Sequence, residues 1–269
     1  MKVALCFWGI CRSTNLTIQS IQSCIFQPLQ AAGIQYDTYI HTYTLCKPYS
    51  NPRANESNLQ LKNTLWKLLK PYKVLVEDQE EVDKLLDLKK YRTQGNPWTD
   101  DMNTFATLDN HIRALWSLKQ VTSLWTPNKI EYTCILYLRP DVRFLKHIDV
   151  SWLICKDTYS IRIPNFQLVD GCNDRFAIGS PETMHIYGNR FDTAYPFSLY
   201  KKLHSELFLA HTLTTNHIRI EYILFKFIRI RANGNSNKED INYYSANLIP
   251  PHPDSTVKKL IVSAYTNSV

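Results

Sequence analysis

After Met1 the chain runs through KVALCFWG, an apolar, β-prone stretch closed by Gly9, which predicts a buried strand. NLTIQSIQSCIFQPLQAAG then predicts a helix, capped by Ser13 or Thr14 and ended by Gly33, and YDTYIHTY a second strand. Strand–helix–strand implies a parallel pair with a right-handed crossover. LQLKNTLWKLLKPY predicts a helix, KVLVED a strand and EEVDKLLDLKKY a further helix. In NTFATLDNHIRALWSLKQVTSLW, Leu108, Ile112, Leu115, Leu118 and Val121 recur at helical spacing and form one apolar stripe. YTCILYLRPDVRF is the strongest strand signal; YSIRIPNF and NDRFAIGS predict further strands, and PETMHIYGNRF begins as helices do. SLYKKLHSELFLAHTLTTN predicts a helix and IRIEYILFKFIRIR mostly strand. Residues 46–58 and 91–101 are polar, turn-rich loops long enough to cover a site. From Ala232 the chain is polar and proline-rich, with its last ten residues expected to pack back. No repeat or linker divides the pattern, so one α/β domain with a mostly parallel central sheet flanked by helices is expected.

At 269 residues, 44% hydrophobic and 20% charged, the composition excludes a largely disordered chain. No apolar run approaches the roughly 18 residues of a membrane span. The N-terminus lacks a cleavage-site pattern, so no signal peptide is read and a cytoplasmic location is expected. Seven cysteines without a CxxC pair or zinc-like spacing are expected to be reduced thiols. The net charge of +7 suits a polyanionic partner, and equally a cleft for a phosphorylated substrate. With seven glycines there is no GxGxxG, GxxxxGK[ST] or GxSxG, which disfavours dinucleotide, P-loop and hydrolase-elbow chemistry.

Ligands of open parallel sheets sit outside the carboxyl ends of the strands. Gly9 and Arg12 follow the first strand, His41 ends the second, and Arg139-Pro140-Asp141 ends the strongest. Arg12 lies at a helix start, where phosphate binds readily. Asp141, at the end of an apolar run and between Arg139 and Arg143, is a candidate to hold a divalent cation against a diphosphate, or to form a salt bridge. His41, Asn110 and Arg113 are candidate donor-site contacts, and Trp8 and Trp98 candidate stacking surfaces.

The ordered set KVALCFWGICRS, YIHTY, DNHIRALWSLKQV, LYLRPDVRF, IPNF…GCNDRFAIGSPETMHIYGNRF and HSELFLAHTL resembles GT-A-type glycosyltransferases of large DNA viruses such as chloroviruses, over about residues 1–234. The resemblance implies a single GT-A-like, Rossmann-like domain. Its nucleotide-sugar-binding half would span about 1–145 and its acceptor half about 146–234, with a polar tail over 235–269. It further implies transfer of a hexose, deoxyhexose or pentose from a nucleotide sugar, commonly UDP-linked with Mn²⁺ or Mg²⁺, to a glycan or glycoprotein acceptor. The family's metal motif is D-x-D; here the triplet reads Arg139-Pro140-Asp141, so one acidic ligand is missing and Arg139 is placed to meet the diphosphate itself. Asp141 is the implied metal ligand; Gly9, Arg12, His41, Asn110, Arg113 and Arg139 complete the donor site.

Breaking the glycosidic bond puts negative charge on the departing diphosphate, which calls for waiting cations, with Arg229 or Arg231 as further candidates. The acceptor hydroxyl must lose a proton, and an inverting enzyme places a carboxylate base opposite the leaving group. Asp174 in CNDRF and Glu206 in HSELF are the candidates; Glu206 stands in an apolar helical run, where partial burial would make it the stronger base. The competing reading is a non-catalytic basic α/β protein binding nucleic acid or another polyanion. Scattered Lys and Arg, with no helix-turn-helix, zinc-finger or RNP-like string, weigh against it. A nucleotidyltransferase would want a second nearby carboxylate and a glycine-rich loop, and both are lacking.

Overall fold

In the computed structural model, which describes residues 1–98, 104–169, 171–238 and 240–241, the opening apolar run is strand β1 (Lys2–Trp8). Val3, Leu5 and Phe7 enter one apolar cluster and Ala4, Cys6 and Trp8 another. That is what a two-residue side-chain period produces when both faces of a sheet are covered. Helix α1 (Thr14–Ile21), a π-helical turn over Gln22–Phe26 and helix α2 (Gln27–Ala31) return the chain to β2 (Gln35–Thr44), parallel to β1. Ser13 precedes α1 without capping it; its hydroxyl donates to the Ile230 carbonyl.

Residues 46–58 are more ordered than a loop: β3 (Tyr49–Asn51) and β4 (Glu56–Leu59) pair as a hairpin. The helix predicted over LQLKNTLWKLLKPY does not form; only a 3₁₀ segment, Leu65–Leu69, survives. Asn63 exchanges hydrogen bonds with the Leu45 backbone in both directions, the local alternative that Asn offers in place of a helix. Pro71 then supplies no N–H to continue one. Strand β5 (Lys73–Asp78) leads into α3 (Gln79–Leu86), whose first N–H groups are capped by Asp78. Helix α4 (Ala106–Trp125) buries Leu108, Ile112, Leu115, Leu118 and Val121, the stripe read from the sequence.

The strongest strand signal divides at Pro140 into β6 (Cys134–Leu138) and β7 (Val142–Phe144). β8 (Ser160–Pro164), β9 (Phe176–Gly179) and α5 (Pro181–Gly188) follow. The helix predicted over SLYKKLHSELFLAHTLTTN forms only in its second part, as α7 (Ser205–Thr215); α6 (Phe191–Ser198) ends where that stretch begins. The turn between them buries Leu203 and leaves His204, Ser205 and Glu206 at a helix start. IRIEYILFKFIRIR likewise divides, into β10 (Arg219–Ile223) and β11 (Phe227–Arg229), which belong to different sheets.

The main sheet runs β10-β8-β9-β6-β1-β2-β5. Only β9 runs antiparallel, to both β6 and β8, so the expected α/β fold with a mostly parallel sheet is what the chain adopts. Ile21, Ile25 and Leu29 of the α1–α2 segment cover one face; Leu118 and Val121 of α4, Met184 of α5 and Leu209 of α7 cover the other. β1 lies where the strand order reverses, with β2 on one side and β6 on the other, and a crevice opens at such a point. β11 pairs with β7, and the Ile230 N–H donates to the Asp141 carbonyl at 2.8 Å. This fixes 229–231 against the turn after β6. No helix among the described residues is long and apolar enough to cross a membrane. The predicted return of the last ten residues lies outside the described residues.

Candidate active site

A cleft of about 700 Å³ opens at the carboxyl ends of β1, β2 and β6. Gly9, directly after β1, lines it with φ +92°, a conformation that costs other residues strain. The Gly9 N–H donates to Ser117 Oγ at 2.7 Å, and Ser117 Oγ lies 2.7 Å from His41 Nδ1. His41 Nε2 meets the Glu77 carboxylate at 2.8 Å, so Nε2 carries the proton and Nδ1 accepts from Ser117. Burial, outweighing Glu77, lowers the His41 pKa. His41 is therefore not a cleft residue: fully buried, it braces the Gly9 turn from behind.

One group of cleft side chains is cationic. Arg12 donates to Asp141 Oδ2 at 2.6 Å and to the Tyr49 hydroxyl at 2.6 Å, and Arg139 donates to both Asp141 oxygens at 2.8 Å. The Arg139 guanidinium lies 5.0 Å from the Trp8 ring centroid, in cation–π range. Asp141 is wholly buried and does not line the cleft. Burial by itself would raise its pKa; Arg139 and Arg12 overcome that and hold it well below the usual carboxylate range. At an effective dielectric of about 20, one unit charge at 4 Å supplies roughly 4 kcal/mol, comparable with the several kcal/mol that burial costs a carboxylate. Two arginines tip that balance.

Arg229 and Arg231 join this group from the end of β11. Arg229 is held by Asp240, Gln167 and Asn237. Among the described residues nothing accepts a hydrogen bond from the Arg231 guanidinium, and burial, followed by the charges of Arg12 and Arg229, lowers its pKa to about 10.

The residues at Asp141 do not fit the divalent cation that the sequence suggested. Both of its oxygens already accept from guanidinium groups, whose positive charge opposes a third cation. Among the described residues no three His, Cys, Asp or Glu side chains gather as a ligand set. Asp141 is a counter-ion for two arginines.

The second group is built around the two carboxylates. Arg175 Nη2 donates to Glu206 Oε1 at 2.9 Å, and Glu206 Oε2 accepts from Ser205 and lies 3.3 Å from His204 Nδ1. Glu206, 2% exposed, is buried more fully than the apolar helical run suggested, and it stands among polar partners. Cys172 N donates to the Glu206 carbonyl at 3.1 Å, and a Cβ on Gly171 would come within 2.2 Å of that carbonyl oxygen, so only glycine fits there. Asp174 makes a looser contact, with Oδ1 3.5 Å from Arg175 Nη1, and among the described residues no hydrogen bond is donated to its carboxylate. Burial raises the Asp174 pKa, but nearby positive charge, Arg175 foremost and then Arg190 and Arg139, outweighs it and keeps the carboxylate ionised. Burial, with Arg190 and His204, pushes the His111 pKa down to about 3, so its ring is neutral. Trp8 Nε1, Arg12 Nε, His111 Nε2 and Arg175 Nη1 all border the cleft and are buried without a hydrogen-bond partner. Such atoms are costly to leave unmet in a cleft that never holds a ligand.

Of the sequence-derived candidates, Gly9, Arg12, Asn110, Arg113, Arg139, Asp174 and Glu206 line the cleft; His41 and Asp141 lie behind it. Arg113 is held by a two-point contact with Asp83 and donates to Asn110, which sets both at the α4 edge. Trp98 packs against His204, ring centroids 5.0 Å apart. Sequence reading missed Tyr49 and His111, which tertiary packing brings in, and gave no site role to Arg175 and His204, although each neighbours a candidate carboxylate in the sequence.

No family model matches this chain, and no curated protein does. Among solved structures, the apo form of mouse xyloside xylosyltransferase 1 matches at 13% identity and a TM-score of 0.41, over 83% of this chain and 85% of that one.

Proposed function

We propose that this chain is a glycosyltransferase that moves a sugar from a nucleoside-diphosphate donor, UDP-linked in the first instance, to a hydroxyl of a glycan acceptor. The observation that carries the proposal is one cleft holding both an arginine group and an ionised, incompletely bonded carboxylate, Asp174. The family resemblance of the sequence agrees with it. The acceptor oxygen attacks the anomeric carbon and the bond to the diphosphate oxygen breaks, leaving the nucleoside diphosphate with an added negative charge. Arg12 and Arg139, pre-positioned by Asp141, Tyr49 and Trp8, meet that charge without reorganising. The acceptor proton passes to Asp174, and the outcome is inversion. Glu206, with both oxygens engaged, acts as a positioning residue that holds Arg175 against Asp174.

Release of nucleoside diphosphate from a panel of UDP- and GDP-sugars tests this. Asp174→Asn should bind the productive donor normally and lose about 10²–10⁴-fold in turnover. Glu206→Gln should lose less, since it acts through Arg175. An Asp174→Asn enzyme that turns over normally, with Glu206→Gln inactive, would move the base to Glu206; normal turnover in both removes these carboxylates from the chemistry.

A further inference from the structure

Given a nucleoside-diphosphate donor in this cleft, as proposed above, we infer that its diphosphate is held by an arginine cradle of Arg12, Arg139 and Arg231 in place of a divalent cation, with Arg231 as the member reserved for the ligand.

The four cleft arginines near Asp141 are not equivalent. Arg12 and Arg139 share the buried Asp141 carboxylate, which fixes their guanidinium planes, and Arg12 also feels the charge of the buried Glu56. Arg229 is neutralised by Asp240. Arg231 has no such partner among the described residues, yet it is only partly exposed and stands close enough to Arg12 and Arg229 to be repelled by both. Asp141 and the buried Glu56 offset part of that repulsion, but two carboxylates against Arg12, Arg139 and Arg231 leave a net positive charge that an entering anion would meet. Arg12, which also lines the cleft, has its Nε buried without an acceptor, a second unmet donor in the group.

The same geometry argues against a metal at this point. A cation needs oxygen donors with free lone pairs, and the carboxylate at the strand end gives both oxygens to arginine. A fork of N–H donors matches phosphate oxygens in number and direction and remains charged at any physiological pH. Excess charge and unmet donors therefore point to a diphosphate that arrives without its metal. A nucleoside, lacking that group, would leave Arg231 as it is.

Calorimetric titration of UDP and GDP into the full chain, once in excess EDTA and once in Mn²⁺, tests the inference. The nucleotide that binds should do so equally well in both buffers. Arg231→Ala should weaken it by about 10- to 100-fold in both, the loss of a charge-assisted contact, while the apo melting temperature changes little, because attraction to Asp141 and Glu56 opposes repulsion from Arg12 and Arg229. Arg231→Gln should show the same loss and serves where the alanine variant folds poorly. Affinity that collapses in EDTA and returns with Mn²⁺ overturns the cradle while leaving the transferase proposal intact. Wild-type affinity in folded Arg231 variants overturns it also. Failure of both nucleotides to bind in either buffer defeats the donor site itself, and the cradle with it.

Discussion

Asp141 shows how one residue's environment decides its job. From the sequence it is a strand-end carboxylate, the residue type that holds a metal; in the fold it is wholly buried between two guanidinium groups. Removing one partner of a buried ion pair leaves the others uncompensated, at a cost of about 3–5 kcal/mol. Asp141→Asn should therefore lower folding stability by about that amount at neutral pH, as well as weaken nucleotide binding. Its folded pKa is depressed, so its contribution is present above the unfolded value of about 3.9 and fades as pH falls toward the folded one. Denaturant melts of wild type and Asp141→Asn should differ fully above about pH 4 and converge below it. A gap that persists unchanged in acid, or no gap at pH 7, would contradict this account of Asp141. The sequence showed that Arg139 and Asp141 sit at a strand end, because strand periodicity and Pro140 are local. It could not show that Arg12 reaches the same carboxylate, since that contact spans 129 residues.

At the scale of elements, β1, β2, β5, β6, α4 and α5 were legible because each carries its own periodicity or cap. The elements that failed were those decided by contacts elsewhere. The stretch after β4 spends Asn63 on the Leu45 backbone, and the helix expected across 198–216 breaks so that Leu203 can bury and α7 can start at the cleft. That start is fixed by Gly171, whose backbone passes against the Glu206 carbonyl. Gly171→Ala introduces a Cβ where there is no room, and overpacking of this kind costs about 1–3 kcal/mol. The variant should melt lower and also lose turnover while still folded, because displacing Glu206 moves Arg175 and with it the contact that orients Asp174. A Gly171→Ala enzyme with wild-type melting and turnover would show that α7 starts independently of residue 171.

For the whole molecule, the strand order places β1 between β2 and β6, and the β7–β11 pairing brings Arg229 and Arg231 back to the end of β6. The crevice follows from the first of these and its charge from the second. A basic chain read only by composition is as compatible with a polyanion-binding protein as with an enzyme. The two differ in how the positive charge is arranged: spread over a surface, or gathered on the floor of one cleft beside a carboxylate. Titration of UDP, GDP and a single-stranded oligonucleotide at low and raised salt, into wild type and Arg139→Ala, separates them most directly. The account predicts saturable binding of one nucleoside diphosphate that persists in raised salt and weakens about tenfold or more in Arg139→Ala, with the oligonucleotide binding weakly and losing that binding as salt rises. Tight oligonucleotide binding, with no nucleoside diphosphate bound under either condition, would contradict it.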